Sequence, residues 1–154
     1  MPISIKANVT AFKAIYQMLK YLLDTNIVIY VIKQRPIEAL TMFNKQQGRM
    51  AISAITLAEL VHGAEKSQFP ERNLTVVEDF CSRLITLPYG DMAAYHYGSI
   101  RTVLEQAGKT IGVNDLHIAA QARSQGLILV SNNLREFERV PGLLMENWAK
   151  VNTG

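Results

Sequence analysis

The sequence lacks the features that mark secreted and membrane proteins. Its 154 residues include a single cysteine, Cys81, so no internal disulfide can form and a reducing compartment is expected. No apolar run approaches the roughly 20 residues of a membrane span. The first residues also lack the basic start, apolar middle and small-residue cleavage site of a secretory signal. We therefore predict a cytoplasmic protein with no membrane partner.

Histidine and reactive cysteine are also scarce. The three histidines, His62, His96 and His117, stand far apart with no cysteine beside them, which argues against zinc. No Ser-His-Asp or Cys-His grouping is evident, and no histidine pair suggests a metal-independent ribonuclease. Cys81 lies in a helical pattern without a close basic cluster, so we predict a buried structural thiol.

Composition is that of one globular domain. Hydrophobic residues make up 49% and charged residues 19% of the chain. The formal net charge is +3, to which Lys6 and Lys13 contribute two charges, so a preference for a polyanionic partner is mild. Each candidate phosphate contact could instead be an ordinary solvated surface charge. The candidates are Lys33, Arg35, Lys45, Arg49 and Lys109.

Short apolar segments alternate with helical patterns along the chain. Strands are predicted at residues 21–24, 50–53, 85–88 and 127–130. Helices are predicted after Pro36, from Ala54, over Leu74–Leu84, over Tyr97–Leu104, and from an N-cap at Asn114 to Gly126. This alternation predicts an α/β fold whose mainly parallel sheet is covered on both faces.

Four short signatures carry acids or amides to the ends of these elements. They are Leu22–Asn26, Thr56–Leu60, Asn114–Ala120 and Val130–Asn133. Ligands of parallel α/β sheets bind beyond the carboxyl ends of the strands. Asp24 and Asn133 follow their strands directly, whereas Glu59 and Asp115 must reach the same rim from helices. Three carboxylates at one rim favour a hard cation such as Mg²⁺ or Mn²⁺.

Each of these residues also has a simpler structural interpretation. Asp24 can form an Asx-type turn with Asn26, and Asp115 can complement the dipole of its helix. Glu59 lies in an apolar stretch, which favours metal binding over a solvated face. The polar neighbours expected to hydrogen-bond the carboxylates are Thr25, Asn26, Ser131 and Asn132. For Tyr89, Tyr95 and Tyr97, core or dimer packing is favoured over stacking on RNA bases.

Together the four signatures resemble those of the PIN-domain ribonucleases, and within them the VapC toxins of bacterial toxin–antitoxin pairs. The resemblance extends from about Met18 to Trp148 and includes Ile111–Asp115 and Val130–Leu143. It implies a PIN-like three-layer α/β/α sandwich. The implied catalytic residues are Asp24, Glu59, Asp115 and Asn133, of which Asp24, Asp115 and Glu59 are metal ligands, direct or through water. Many relatives carry a fourth acid where this chain has Asn133, so the choice between one and two metal ions stays open.

The resemblance also implies a function. It predicts a magnesium- or manganese-dependent endoribonuclease toxin that cleaves structured RNA and leaves a 5′-phosphate. The implied substrate is transfer RNA or a ribosomal RNA loop, and the form of the segment Asn132–Phe137 favours the anticodon stem-loop of initiator transfer RNA. The implied partners are a cognate antitoxin and a second copy of the chain.

Two other functions and one boundary are left open by the sequence. Leu22–Asn26 also resembles the opening motif of haloacid-dehalogenase-type phosphatases, although Asn26 cannot act as their proton donor. A non-catalytic RNA-binding or protein-binding module on the same fold is the other alternative. We interpret residues 1–17 as an N-terminal extension, upstream of the domain or of artificial origin, and residues 18–154 as the PIN domain. A helix through Thr10–Tyr16 is the alternative for the extension.

Overall fold

The computed structural model describes residues 13–149, and the remainder of the predicted extension and the last five residues lie outside that range. Residues 13–18 form a helix, α1. The alternative prediction of a helix through Thr10–Tyr16 is therefore confirmed over residues 13–16. Within residues 13–149 no helix is both long and apolar enough to cross a bilayer.

Five parallel strands form the central sheet in the order β3-β2-β1-β4-β5. They are β1 (Tyr21–Leu23), β2 (Met50–Ser53), β3 (Ile85–Leu87), β4 (Ile128–Val130) and β5 (Met145–Glu146). Tyr21 pairs with Met50 on one side and with Ile128 on the other, which makes β1 the central strand. The four predicted strands are confirmed. The two-residue β5 was not predicted.

Helices connect the strands. They are α2 (Thr25–Lys33), α3 (Ile37–Lys45), α4 (Ala54–Glu65), α5 (Pro70–Cys81), α6 (Asp91–Gln106), α7 (Val113–Gln125) and α8 (Leu134–Phe137). Several predicted boundaries are wrong, among them the start of α6, which lies at Asp91 rather than at Tyr97. Gly112, rather than Asn114, is the N-cap of α7, and α5 ends at Cys81 instead of reaching Leu84. Cys81 is partly buried against the core, and burial raises the pKa of its thiol, as expected for an unreactive cysteine.

Alternating side chains of the sheet pack into two separate hydrophobic cores, one on each face. In β1, Tyr21 and Leu23 pack on one face with Ile27 and Phe43, whereas Leu22 packs on the other face in the core that contains Ile118. Each face is therefore covered by helices, and the predicted three-layer α/β/α sandwich is confirmed.

The strand order places a topological switch point beside the central strand. From β1 the chain continues to β2 and β3 on one side, while β4 and β5 lie on the other. The carboxyl ends of β1 and β4 are adjacent, since Leu23 pairs with Val130. Asp24 and Ser131, which follow these two residues, are thereby brought together at the position where α/β sheets bind ligands.

Candidate active site

Asp24 is a buried carboxylate at the end of the central strand. Its side chain is 2% exposed and accepts a 2.8 Å hydrogen bond from Ser131 Oγ. Asp24 occupies the N-cap position of α2, but its side chain makes no capping hydrogen bond, so the turn-forming interpretation does not account for it. Burial raises its pKa, and repulsion from Glu59 and Glu136 adds to the rise. The hydrogen bond from Ser131 and the nearby Thr25 amide oppose that shift.

Asp115 lies in the first turn of α7 and is partly buried. Its pKa is raised to about 6, first by burial and then by repulsion from Asp24, Glu136 and Glu59. A carboxylate at a helix N-terminus that served only the helix dipole would have a lowered pKa. The pKa of Asp115 rises instead, first because of burial and then because of the negative charges of three neighbouring acids.

Glu59 reaches this group from the second turn of α4. The Ser53 side chain accepts a hydrogen bond from Ile55 N, so α4 begins directly at the carboxyl end of β2. Thr25 Oγ1 donates to Glu59 Oε1 at 3.0 Å and lies 3.1 Å from the hydroxyl of Thr56. The Leu22–Asn26 signature therefore supplies both a buried acid and the residue that orients a second acid.

Glu136 is a fourth acid that the sequence analysis did not identify. Asn133 Nδ2 donates to Glu136 Oε2 at 2.5 Å, and the Gly112 amide donates to Glu136 Oε1 at 3.2 Å. Its charge raises the pKa of both Asp24 and Asp115. Asn133 thus holds an acid that lies three residues further along the chain. That i, i+3 spacing at the start of α8 is the sequence signal that could have revealed Glu136.

The four acids share one electrostatic environment but do not form a closed cage. Asp24, Glu59, Asp115 and Glu136 are coupled through their charges. Among residues 13–149, however, no three acidic, histidine or cysteine side chains converge as a ready set of direct metal ligands. An open set of oxygen donors suits Mg²⁺, which keeps several waters and takes one or two carboxylates. The donor chemistry therefore fits a hydrated divalent cation, with part of the contact through water.

The predicted supporting residues divide into two groups. Thr25 and Ser131 hydrogen-bond carboxylates as predicted. Asn132 instead donates from Nδ2 to the Tyr30 hydroxyl at 2.7 Å, and its buried Oδ1 has no partner among the described residues. Asn26 is exposed.

His117 and two tyrosines pack together outside the acid group. The His117 ring stacks on Tyr97 with 4.1 Å between centroids, and its Nδ1 lies 2.7 Å from the Tyr89 hydroxyl. This confirms packing as the role of His117. Tyr89 and Tyr97 pack likewise, whereas Tyr95 is 77% exposed, so the core packing considered for it is not observed.

The profile of the PIN domain family matches residues 21–143. A protein described as ribonuclease VapC2 from Haemophilus influenzae is 64% identical over 131 residues, which cover 85% of this chain and 99% of the relative. A protein from Shigella flexneri described as tRNA(fMet)-specific endonuclease VapC is 54% identical over 132 residues, which cover 86% of this chain and 100% of that protein.

Solved structures agree with these matches. The DNA-bound VapBC complex from Salmonella typhimurium contains a chain that is 53% identical, with a TM-score of 0.81 over 84% of this chain and 98% of that one. The VapBC2 complex from Rickettsia felis, bound to a fragment of its promoter DNA, contains a chain that is 39% identical, with a TM-score of 0.79 over 84% of this chain and 99% of that one.

Proposed function

Because the chain belongs to the PIN-domain family, and within it to the VapC ribonucleases, we propose that it is a divalent-metal-dependent endoribonuclease toxin that cleaves initiator transfer RNA and is held inactive by a cognate antitoxin. The observation that carries the metal dependence is the placement of Asp24, Glu59, Asp115 and Glu136 at one rim, where hydrogen bonds hold three of them and where burial and then mutual repulsion raise the pKa of Asp115 to about 6. Such repulsion is relieved when a cation occupies the space between the carboxylates.

Asp24, Asp115 and Glu59 are the residues that would hold the cation, with Glu136 completing the negative rim. Bound Mg²⁺ or Mn²⁺ supplies Lewis-acid chemistry that acidifies water and offsets charge developing on the scissile phosphate. Ser131 orients Asp24 and favours its charged form through its hydrogen bond, and the hydrogen bond from Thr25 orients Glu59. Asn133 and the Gly112 amide hold both oxygens of Glu136. Asn133 therefore acts in this proposal by positioning Glu136, and the number of cations stays open between one and two.

The substrate proposal comes from close relatives. Two of them, from Shigella flexneri and Salmonella typhimurium, are described as tRNA(fMet)-specific and are 54% and 53% identical to this chain. We infer cleavage at the anticodon stem-loop of initiator transfer RNA, with a 5′-phosphate on the downstream product.

Two protein partners belong to the proposal. The solved relatives are VapBC complexes, which supports a cognate antitoxin. A homodimer is supported by one face of α6, where Met92, Tyr95 and Val103 are 61%, 77% and 46% exposed. Tyr95→Lys should shift the isolated protein from dimer to monomer in light scattering if this face joins two copies. An unchanged dimer would place the interface elsewhere.

One assay separates the proposal from its alternatives. The purified protein is incubated with total RNA and Mn²⁺, and in parallel with a small phosphate ester. Cleavage of one transfer RNA to fragments with a 5′-phosphate supports the nuclease. Release of phosphate from the ester would support the phosphatase alternative, and RNA binding without cleavage would support the non-catalytic module.

A further inference from the structure

The loop between α6 and α7 is joined to α8 beside the acid group. Arg139 donates from Nη1 to the Thr110 carbonyl at 3.0 Å, and the Gly112 amide donates to Glu136 at 3.2 Å. These two contacts join chain segments that are 29 and 24 residues apart. Residues 107–114 and α8 therefore form one continuous wall next to Asp115.

The exposed charges of this wall are mainly positive. Lys109, Arg135 and Arg139 are exposed, and together they are named the basic wall. Residues 107–114 contain no acid, and Glu138 is the one exposed acid in the adjoining segment 134–140. Neither Lys109 nor Arg135 makes a side-chain hydrogen bond or ion pair within residues 13–149, so both cations are available to a ligand.

The opposite side of the site has a different character. A hollow between α2, α4 and α5 includes Thr25 and Glu59, and its lining is mainly apolar, with Ile29, Ile32 and Val76 beside one cation, Lys33. Phosphate groups gain little from such a surface, whereas exposed arginine and lysine neutralise them directly. The site thus has one side with three exposed cations, which suits a polyanion, and one mainly apolar side with a single lining cation, Lys33.

We infer that the RNA backbone lies along the basic wall, with the phosphates that flank the cleavage site contacted by Lys109, Arg135 and Arg139. This inference rests on the proposed ribonuclease function and adds the surface that binds the substrate. It assigns Lys109 the phosphate contact expected from the sequence. It also adds Arg135 and Arg139, which the sequence analysis did not select.

Two other cations selected from the sequence lie at the wrong end of the sheet. Arg49 directly precedes β2 and its carbonyl accepts from Tyr21 N, so it lies at the amino ends of the parallel strands. Lys45 ends α3 just before it. Both lie opposite the carboxyl rim that holds the acids. Because Arg49 donates to Gln46, the matched control pairs Lys45 with Lys20, an exposed residue that directly precedes β1 at the same end.

The test compares two double variants that each remove two exposed positive charges. Lys109→Gln with Arg135→Gln alters the basic wall, and Lys20→Gln with Lys45→Gln alters the opposite end. Arg139 is left unchanged because its hydrogen bond to Thr110 supports the loop. The readouts are kcat and KM for cleavage of purified initiator transfer RNA with Mn²⁺, measured over a range of KCl concentrations, together with Tm.

We expect the basic-wall variant to raise KM at least about 5-fold with little change in kcat and Tm. The slope of log kcat/KM against log salt should become shallower by about 1.4, because each phosphate contact to a single strand contributes about 0.7. The control variant should leave both KM and the slope against log salt unchanged. Equal effects in the two variants, or none in the basic-wall variant, would overturn the inference. Unchanged RNA kinetics with weakened binding of an acidic protein partner would also overturn it. Failure of the unmodified protein to cleave any RNA would instead reject the proposed function.

Discussion

Ser131 Oγ lies 2.8 Å from the Asp24 carboxylate, and both side chains are buried although 107 residues separate them in the chain. The contact exists because β1 and β4 are adjacent parallel strands that end at the same rim. The Ser131 hydroxyl also accepts a hydrogen bond from the backbone N–H of Asn133 at 2.9 Å, so the hydroxyl that donates to Asp24 is itself held in place. A hydrogen bond to the charged form favours ionisation, and Ser131 therefore opposes the rise in pKa that burial imposes on Asp24.

Ser131→Ala should raise the pKa of Asp24 further and move the pH profile of cleavage to higher pH. Activity at neutral pH should fall and partly recover as the pH is raised, since deprotonation of Asp24 would then be restored. Stability should fall by about 1–3 kcal/mol, the cost of removing a hydrogen bond to a buried charged group. Ser124→Ala is the control, because Ser124 Oγ donates to the Gln121 carbonyl away from the acids. A uniform loss of activity at every pH would mean that Ser131 has a structural role alone.

Asp115→Asn should stabilise the metal-free protein at pH 7.5 but not at pH 4. The pKa of Asp115 is about 6 in the folded protein against 3.8 as its ordinary value, so the folded state binds the proton more tightly. Its contribution to stability is therefore present below about pH 4 and is lost as the pH rises through 6. The shift in the pKa of Asp115 corresponds to a change of at most about 3 kcal/mol in the free energy of unfolding, and the partial exposure of the side chain reduces this value.

Thermal unfolding in EDTA across pH 4–8 measures this effect. Asp91→Asn is the matched control, because Asp91 lies exposed in the first turn of α6, and it should bring no gain at pH 7.5. A variant at position 115 that is less stable than the unmodified protein at pH 7.5 would show that Asp115 makes a favourable contact as a charged group.

Asn133→Asp should tighten metal binding and weaken the metal-free fold. The new carboxylate adds a ligand charge at the rim, and charge count tunes affinity for hard cations. It also replaces the amide that donates to Glu136, so two carboxylates would face each other without a cation. Titration calorimetry and Tm with and without Mn²⁺ measure both effects, with Asn44→Asp on the exposed side of α3 as control. Unchanged or weaker Mn²⁺ binding would place Asn133 outside the metal site.

The antitoxin should inhibit through a cation of its own. Four acids without a counter-ion favour an inserted Arg or Lys, and Arg is preferred for its bidentate geometry with carboxylates. That group would compete with Mg²⁺ for the same oxygens. Replacing it with Ala should weaken inhibition even where apolar contacts keep the complex together. RNA cleavage by the preformed complex over a range of Mg²⁺ concentrations measures this. If no basic residue of the antitoxin and no Mg²⁺ concentration changes inhibition, occlusion is steric.

The sequence predicted the four longer strands because each is a short apolar run with a polar end. It did not reveal α2, in which Ile27, Val28, Ile29, Val31 and Ile32 are β-branched residues that lack helix propensity. Burial of Ile27, Val28 and Val31 against the sheet outweighs that propensity. Strand β5 has only two residues and exists through its pairing with β4, which no local pattern encodes.

Three acids of the site were predicted because each lies near the end of a strand or in the first turns of a helix, and such positions can be recognised in the sequence. Asp24, Glu59 and Asp115 were selected by position, and the structure places all three in one electrostatic group. Glu136 was missed because its role depends on hydrogen bonds from Asn133 and from Gly112, the latter 24 residues away in the chain. Asn132 was expected to contact a carboxylate, but its partner Tyr30 lies on the helix that the sequence did not reveal.

The proposed function requires Asp24 and Asp115 to form a metal-dependent site for RNA cleavage. The most direct measurement is cleavage of initiator transfer RNA with Mn²⁺ by the unmodified protein, by Asp24→Asn and by Asp115→Asn, at matched metal concentration and with Tm recorded for each. Asp79→Asn, which removes an exposed acid on α5, is the control. We predict loss of at least about 100-fold in both site variants, as expected when a group that stabilises transition-state charge is removed, with Tm unchanged or raised and the control fully active. Retained cleavage in either folded site variant would contradict the metal-site assignment.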